Sequence, residues 1–474
     1  MKKILCFLMI MTLALAMLLV ACDQQDQLGG DQSGNPTSDQ TSEQNSEQDV
    51  EQSSNQGNEQ SSEENSEQDI EHDTAPLVSS VGLEFVSNGD GTCTLVGIGA
   101  CNDQNIVIPK ISPNGDRVTV IGNYALSSII GLREVIIQEG VTRIDENAFS
   151  NNDELVSITI SDSVTSIGEY AFSCCTSLTS ITIPDSVTSI SEGTFTSCSG
   201  LTSFIISDCV TSIGDYAFEG CTGLTHISIP GNVRSMGYRV FKRCTSLVNV
   251  TINKGVTSIG DAAFSGCTSL TSINIPNSVT KIGEGAFYDC HNLKYNVYED
   301  VRYLGVENNP YSILIGPTDK TQTMYTIHEN TKYIYSDAFS KCTELVSIRI
   351  PNGVICLGGW AFSGCFNLTI VTLPNSVTNI EVHAFRDCTS LTKITVPESV
   401  MSIGFRAFDN CTGLTSMIIG SNLTSIGSAA FSGCDGLRDI YYMGTMEEWA
   451  DIEIADGNTT LSSATIHYNY VPEE

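Results

Sequence analysis

Apolar and polar positions alternate along much of this chain in a fixed cycle. One cycle places Cys175, Leu178, Ile181 and Ile183 inward, breaks at Pro184, resumes with Val187 and Ile190, and closes on Phe195. The stretch from Leu178 to Ile183 alternates in and out with β-branched residues, which predicts a strand. Pro184 ends it, because proline cannot donate to a ladder. Val187 to Ile190 predicts a second short extended piece, and the Ala-Phe position a single helical turn.

The cycle length is read from the aromatic anchors. Phe149, Phe172, Phe195, Phe218, Phe241, Phe264 and Phe287 stand 23 residues apart, and Phe339, Phe362, Phe385, Phe408 and Phe431 resume the spacing, with Leu126 one period before Phe149. A slice this thin cannot bury its own apolar side, so neighbours must stack and share a core. The expected fold is a mainly β repeat solenoid: a curved stack with a parallel β-sheet face, and short strands and turn-helix segments on the other sides. Thirteen or fourteen coils at about 4.8 Å each span roughly 65 Å.

The unit resembles the leucine-rich repeat of Treponema and of BspA-like bacterial surface proteins, over residues from about 120 to 434. Tyr303 with Asn309 to Tyr311, and the tail from Tyr441 to Trp449, also resemble features of such proteins. The resemblance implies a leucine-rich-repeat surface protein associated with adhesion or recognition, and it names no ligand, because function lives in sites grafted on a fold.

The 18 cysteines first point to a disulfide framework in an exported chain. Their spacing points elsewhere. Cys175, Cys198, Cys221, Cys244, Cys267, Cys290, Cys342, Cys365, Cys388, Cys411 and Cys434 each fall three residues after an anchor Phe, one per coil. Equivalent side chains in stacked coils run parallel about 4.8 Å apart, whereas a disulfide needs converging Cβ atoms about 3.8 Å apart. A buried thiol ladder is expected, with disulfides or metal as the alternatives. Cys93 and Cys101 precede the repeats in strand-like sequence and either close a hairpin disulfide or remain thiols.

The N-terminus changes the setting of this solenoid. Lys2 and Lys3 precede an apolar run from Ile4 to Val20, as in a secretory signal. The run ends at Leu19 to Cys22, which resembles a bacterial lipobox and implies lipidation at Cys22; a plain cleaved signal or an uncleaved membrane helix is the alternative. Residues 1–21 are then the signal peptide. Residues 22–76, rich in Gln, Ser and Glu, are a disordered acidic linker of roughly 40 Å r.m.s. span. A β cap over 77–122 precedes the solenoid of 123–434, and a C-terminal cap and tail occupy 435–474. The protein is thus expected to be exported, lipid-anchored to the cell membrane and exposed at the surface.

Charge narrows the partners. The net charge is −33, and no Lys or Arg occurs between Lys3 and Lys110. Clustered cations, which nucleic acid requires, are missing as a general feature, and membrane contact is expected only through the anchor. The six His residues are scattered, and no spacing of His, Cys and carboxylates indicates an enzyme, metal or cofactor. The expected partner is an extracellular protein or glycan, with an envelope scaffold as the alternative.

Variation between copies marks candidate contact positions. Outward strand positions are mostly Ser and Thr, from which His226, Asn249, Asn274, Arg349 and Lys393 depart, as do Ile205, Ile370 and Ile418. Phe287 and Phe339 are 52 residues apart, so an insertion at about 291–335 interrupts the period. It is rich in tyrosine, including Tyr298, Tyr303 and Tyr311. It either projects as a contact surface or only adjusts the curvature.

Overall fold

The computed structural model describes residues 78–306 and 308–472. The expected signal peptide, Cys22 and the acidic linker lie outside the described residues. The rest is a parallel solenoid of about 16 turns. The stack exceeds the thirteen or fourteen coils counted from anchors because both ends join it without an anchor Phe. Thr92–Gly97 pairs in parallel with Arg117–Ile121, and Glu453–Ile454 continues the ladder from Ser425–Ile426.

Two ladders follow from the two extended pieces. On the first, His226–Ile229, Asn249–Ile252 and Ser272–Asn274 pair in parallel, with His226 opposite Asn249 and Asn249 opposite Ser272. The register equals the sequence period, so every inward residue meets its equivalent. The second ladder consists of two-residue rungs such as Ser258–Ile259 against Lys281–Ile282.

The third side corrects an expectation. The Ala-Phe segment is a run of turns, and the only α-helices among the described residues are Met446–Ala450 and Thr459–Ser463 in the C-terminal segment. Residues two before and two after each anchor hold left-handed backbone, as Tyr170 (φ 55°) and Cys174 (φ 60°) do around Phe172. This alternation sends every second N–H along the stack. Tyr170, Phe172 and Cys174 donate to the carbonyls of Glu192, Thr194 and Thr196 at 2.9, 3.0 and 2.7 Å. A helical turn would direct its N–H groups back to its own carbonyls, leaving this side of each coil unpaired.

The core is a column of stacked rings beside a column of thiols. Consecutive anchor Phe rings lie 5.3 to 5.9 Å apart. The cysteines that follow them are buried and unbonded. Ten donate Sγ–H to the carbonyl of the anchor Phe one coil back, as Cys198 does to Phe172 (3.0 Å) and Cys267 to Phe241 (3.1 Å). Asn152 takes this place at the first coil, bonding the carbonyls of Leu126 and Phe149. Beyond the last, Thr460 Oγ1 takes it, donating to the Phe431 carbonyl (2.7 Å).

The hairpin disulfide is absent, and Cys93 and Cys101 are both free. Cys93 sits opposite Ser87, while the strand runs on to Gly97 opposite Glu84 before Cys101 is reached. Four residues of strand place Cys93 about 13 Å from Gly97, and Cys101 lies past it at the far end of the hairpin, where Ala100 N–H donates to the Gly82 carbonyl, whereas a disulfide needs Cα atoms about 6 Å apart. Cys93 instead faces the Asp116 carbonyl at 3.7 Å.

Two places break the regularity. Phe204 replaces the usual inward Ile and wedges against Phe195 (5.1 Å) and Phe218 (4.8 Å), and neither its strand nor the preceding one is formed. The second break is the insertion. Asn296–Tyr298, Val301–Val306 and Asn309–Pro317 form an antiparallel meander, whose last strand pairs in parallel with Tyr333–Ile334. Two hydrophobic clusters meet there. Tyrosine hydroxyls tie the insertion to the coil before it: Phe287 N–H donates to Tyr335 Oη (3.1 Å), and Tyr333 Oη donates to the Ile282 carbonyl (2.9 Å).

Candidate functional site: the sheet face around the insertion

The structure brings together two sets of residues that are far apart in the chain. Asn274 ends the run of regular rungs, and the hairpin of the insertion folds beside it. A depression of about 690 Å³ there is lined by Asn274, Lys254, Pro276, Val306 and Asn308. Arg349 begins the next run. It borders a second depression of about 430 Å³, with Tyr325, Ile327, Glu329 and Asn352. The insertion thus divides the sheet face and leaves a charged notch on either side.

The other sheet-face candidates do not join these notches. His226 is exposed, with Nδ1 2.9 Å from Thr225 Oγ1. Asn249, its neighbour in register, accepts from Ser272 Oγ at 2.5 Å. Lys393 is exposed in the C-terminal run, opposite Ser416. Ile205 and Ile370 are exposed as expected. Ile418 is not: it is 6% exposed, sitting between Thr395 and Tyr441 in register.

The tyrosines of the insertion divide by burial. Tyr303 is fully buried, so it is not a contact residue: its ring lies edge-on to Tyr311, and its hydroxyl accepts from His328 N–H (3.1 Å). Sequence order could not show this, because in and out positions along a meander depend on the partner strand. Tyr311 and Tyr298 are half-buried around His328, which stacks on Tyr311 (4.1 Å) and meets Tyr298 edge-on (4.8 Å). His328 completes this cluster without any spacing in the sequence pointing to it; lying near two tyrosines in the irregular segment was its only signal.

The coils carry a second varied surface that the strand pattern does not mark. The left-handed position two before each anchor carries Tyr170, Tyr216, Arg239, Trp360, His383 and Arg406, one per coil. Comparing copies at this position reveals the same departures that mark the sheet face. Trp360 stacks on His383 at 3.9 Å, and burial, then the nearby Arg386 charge, lowers the His383 pKa.

The buried ladder thiols are poorly placed for reaction. Burial pushes Cys175, Cys290 and Cys365 up to about 12 and Cys342 up to about 11, so all stay protonated at neutral pH, and a thiol is a poor nucleophile and ligand. Among the described residues, no group of three or more His, Cys, Asp or Glu is placed to hold a metal ion, and no helix is long and apolar enough to cross a membrane.

Residues 100–223, 188–307 and 319–440 match the BspA type leucine rich repeat region in six-copy units. A leucine rich cell surface protein of Faecalibacterium prausnitzii is 31% identical over 79% of this chain and 97% of its own, with a TM-score of 0.38. A leucine-rich repeat protein of Bacteroides ovatus is 26% identical over 83% and 99%, with a TM-score of 0.41. The T. pallidum leucine rich repeat protein is 24% identical over 35% and 82%, with a TM-score of 0.29. No curated protein matches the sequence. With the matched residues spanning most of the solenoid, this chain belongs to the BspA-type leucine-rich repeat family.

Proposed function

We propose that this protein is a cell-surface binding protein, anchored through a lipid on Cys22, that engages an extracellular protein or glycan with the sheet face around its insertion and catalyses nothing. The observation that carries the reading is the pair of notches flanking the insertion, with Asn274 and Lys254 in one and Arg349 and Glu329 in the other. Neither is enclosed enough to sequester a reaction from water, but both give polar, directional contacts on a broad solvated face, as solenoid binding surfaces do. The cell surface protein of F. prausnitzii named above supports the setting.

Deleting the insertion would not test this, because Tyr333 and Tyr335 tie it to the coil before it. Single exposed or half-buried side chains serve instead. The full chain and its Arg349→Ala, Asn274→Ala and Tyr311→Ala variants are applied to arrays of matrix proteins, mucins and glycans. A ligand retained by wild type and weakened by these variants but not by Ser180→Ala supports the site. Absence of any ligand, with one stoichiometric envelope protein copurifying from detergent extracts, would replace it with a scaffold role.

A further inference from the structure

The turn face carries a second site. Along the left-handed column, Tyr216 and Arg239 protrude from consecutive coils, and the side chains then stop, because the next two members are Ala262 and Gly285. The companion column two residues after the anchor shrinks likewise, from Arg243 to Gly266, before Asp289. The result is a notch of about 540 Å³, within the range of small-ligand pockets.

Its walls are chemically opposite. One side is Arg239, Lys242 and Arg243, three cations in five residues of a chain whose net charge is −33. Facing them are Asp261, Glu284 and Asp289, with Tyr288, 67% exposed, at the rim. Lys242 is partly committed to Glu219 at 3.9 Å. The two arginines form no ion pair among the described residues. Arg239 is held by stacking alone, its guanidinium 4.5 Å from the Tyr238 ring centre and 6.0 Å from that of Tyr216, with a buried Nε that has no hydrogen-bond partner. Stacking fixes the plane of the guanidinium and leaves its donors free.

We propose that this notch binds a single sugar acid, a carboxylate-bearing sugar such as the end of an acidic glycan. The carboxylate lies on the Arg239 and Arg243 guanidiniums, which match its planar geometry. The ring hydroxyls donate to Asp261 and Glu284, and the sugar face rests on Tyr288. A neutral sugar leaves the guanidiniums unmatched, and a dianionic phosphate is repelled by the carboxylate wall. The long-range negative field of the protein opposes any anion, but it is screened beyond about 8 Å at physiological ionic strength, whereas the arginines act in contact.

This site is independent of the sheet-face reading, and the test separates them. The full chain is titrated with glucuronic acid and N-acetylneuraminic acid, and with glucose and glycine as neutral and zwitterionic controls, by calorimetry. The expected result is millimolar binding of a sugar acid alone, weakened about tenfold or more by Arg243→Gln, a loss of about 1.4 kcal/mol. Ala262→Arg should abolish it by refilling the column. That variant should fold, since Arg239 and Arg406 hold the same left-handed backbone at φ 55° and 50°. Arg349→Ala on the sheet face should change nothing. The proposal is overturned if no sugar acid binds, if glucose or glycine binds as well, or if binding survives Ala262→Arg at an unchanged melting temperature.

Discussion

The regular coils and the joint at the insertion meet one bonding requirement with different devices. In a regular coil Phe264 N–H donates to the Ala286 carbonyl and the Ile259 carbonyl accepts from Gly283 N–H, both at 2.8 Å, because the next coil presents the same groups one period on. At the joint no such coil follows, and Tyr335 Oη accepts from Phe287 while Tyr333 Oη donates to Ile282. A buried backbone group left unpaired costs about 1–3 kcal/mol, so a hydroxyl at the right depth keeps the stack whole. Regularity therefore satisfies a solenoid's backbone without special residues and interruption does not, and the insertion commits four of its tyrosines, Tyr303, Tyr325, Tyr333 and Tyr335, to the interior.

Substitutions in the two regions should separate these devices. Phe264→Ala in a regular coil should destabilise most, by about 3–5 kcal/mol, seen as a lower urea midpoint, since it opens a cavity in the ring stack. Tyr335→Phe keeps the ring and removes only the acceptor for Phe287, so a loss of about 1–3 kcal/mol is expected. A loss near zero would show that the hydroxyl does not replace the missing coil.

Alkaline titration distinguishes the two regions further. An unfolded thiol ionises near about 8.5. Burial holds Cys175 and Cys365 up to about 12, while Cys342 at the joint reaches about 11, with Lys320 and a Tyr325 hydrogen bond offsetting part of the burial. The folded state keeps protons that the unfolded state has lost, so this stability is complete below about pH 8.5 and declines as pH rises toward 11 and 12. Alkylation followed by mass mapping should reach exposed Cys209 first and Cys342 before Cys365; the reverse order would contradict the assigned environments. The smallest effect is expected at Ser180→Ala on the sheet face, within about 0.5 kcal/mol, because this exposed side chain has no partner that the fold depends on.

The proposed binding surfaces were less legible than the stack. Departures from Ser and Thr on the strand located Asn274 and Arg349, which border the notches, but the same logic misplaced Ile418, whose neighbour Tyr441 covers it. Tyr303 was misplaced for a related reason. Counting tyrosines in an aperiodic segment says nothing of which face each takes. The turn-face column was readable in principle, since it varies in register, yet only the left-handed backbone shows that its side chains leave the core.

The sequence alone determined the solenoid, the 23-residue register and the thiol ladder, because a repeated pattern of inward residues has one way to bury itself: against its own copies. It could not determine what happens where the copies stop agreeing. The turns in place of a helix, the buried tyrosines of the joint and the notch beside Arg239 are relations between residues about 20 to 50 positions apart. Such relations are set by which backbone groups lack a partner and which side chains are too small to fill their slot, and these exist only once the coils are stacked.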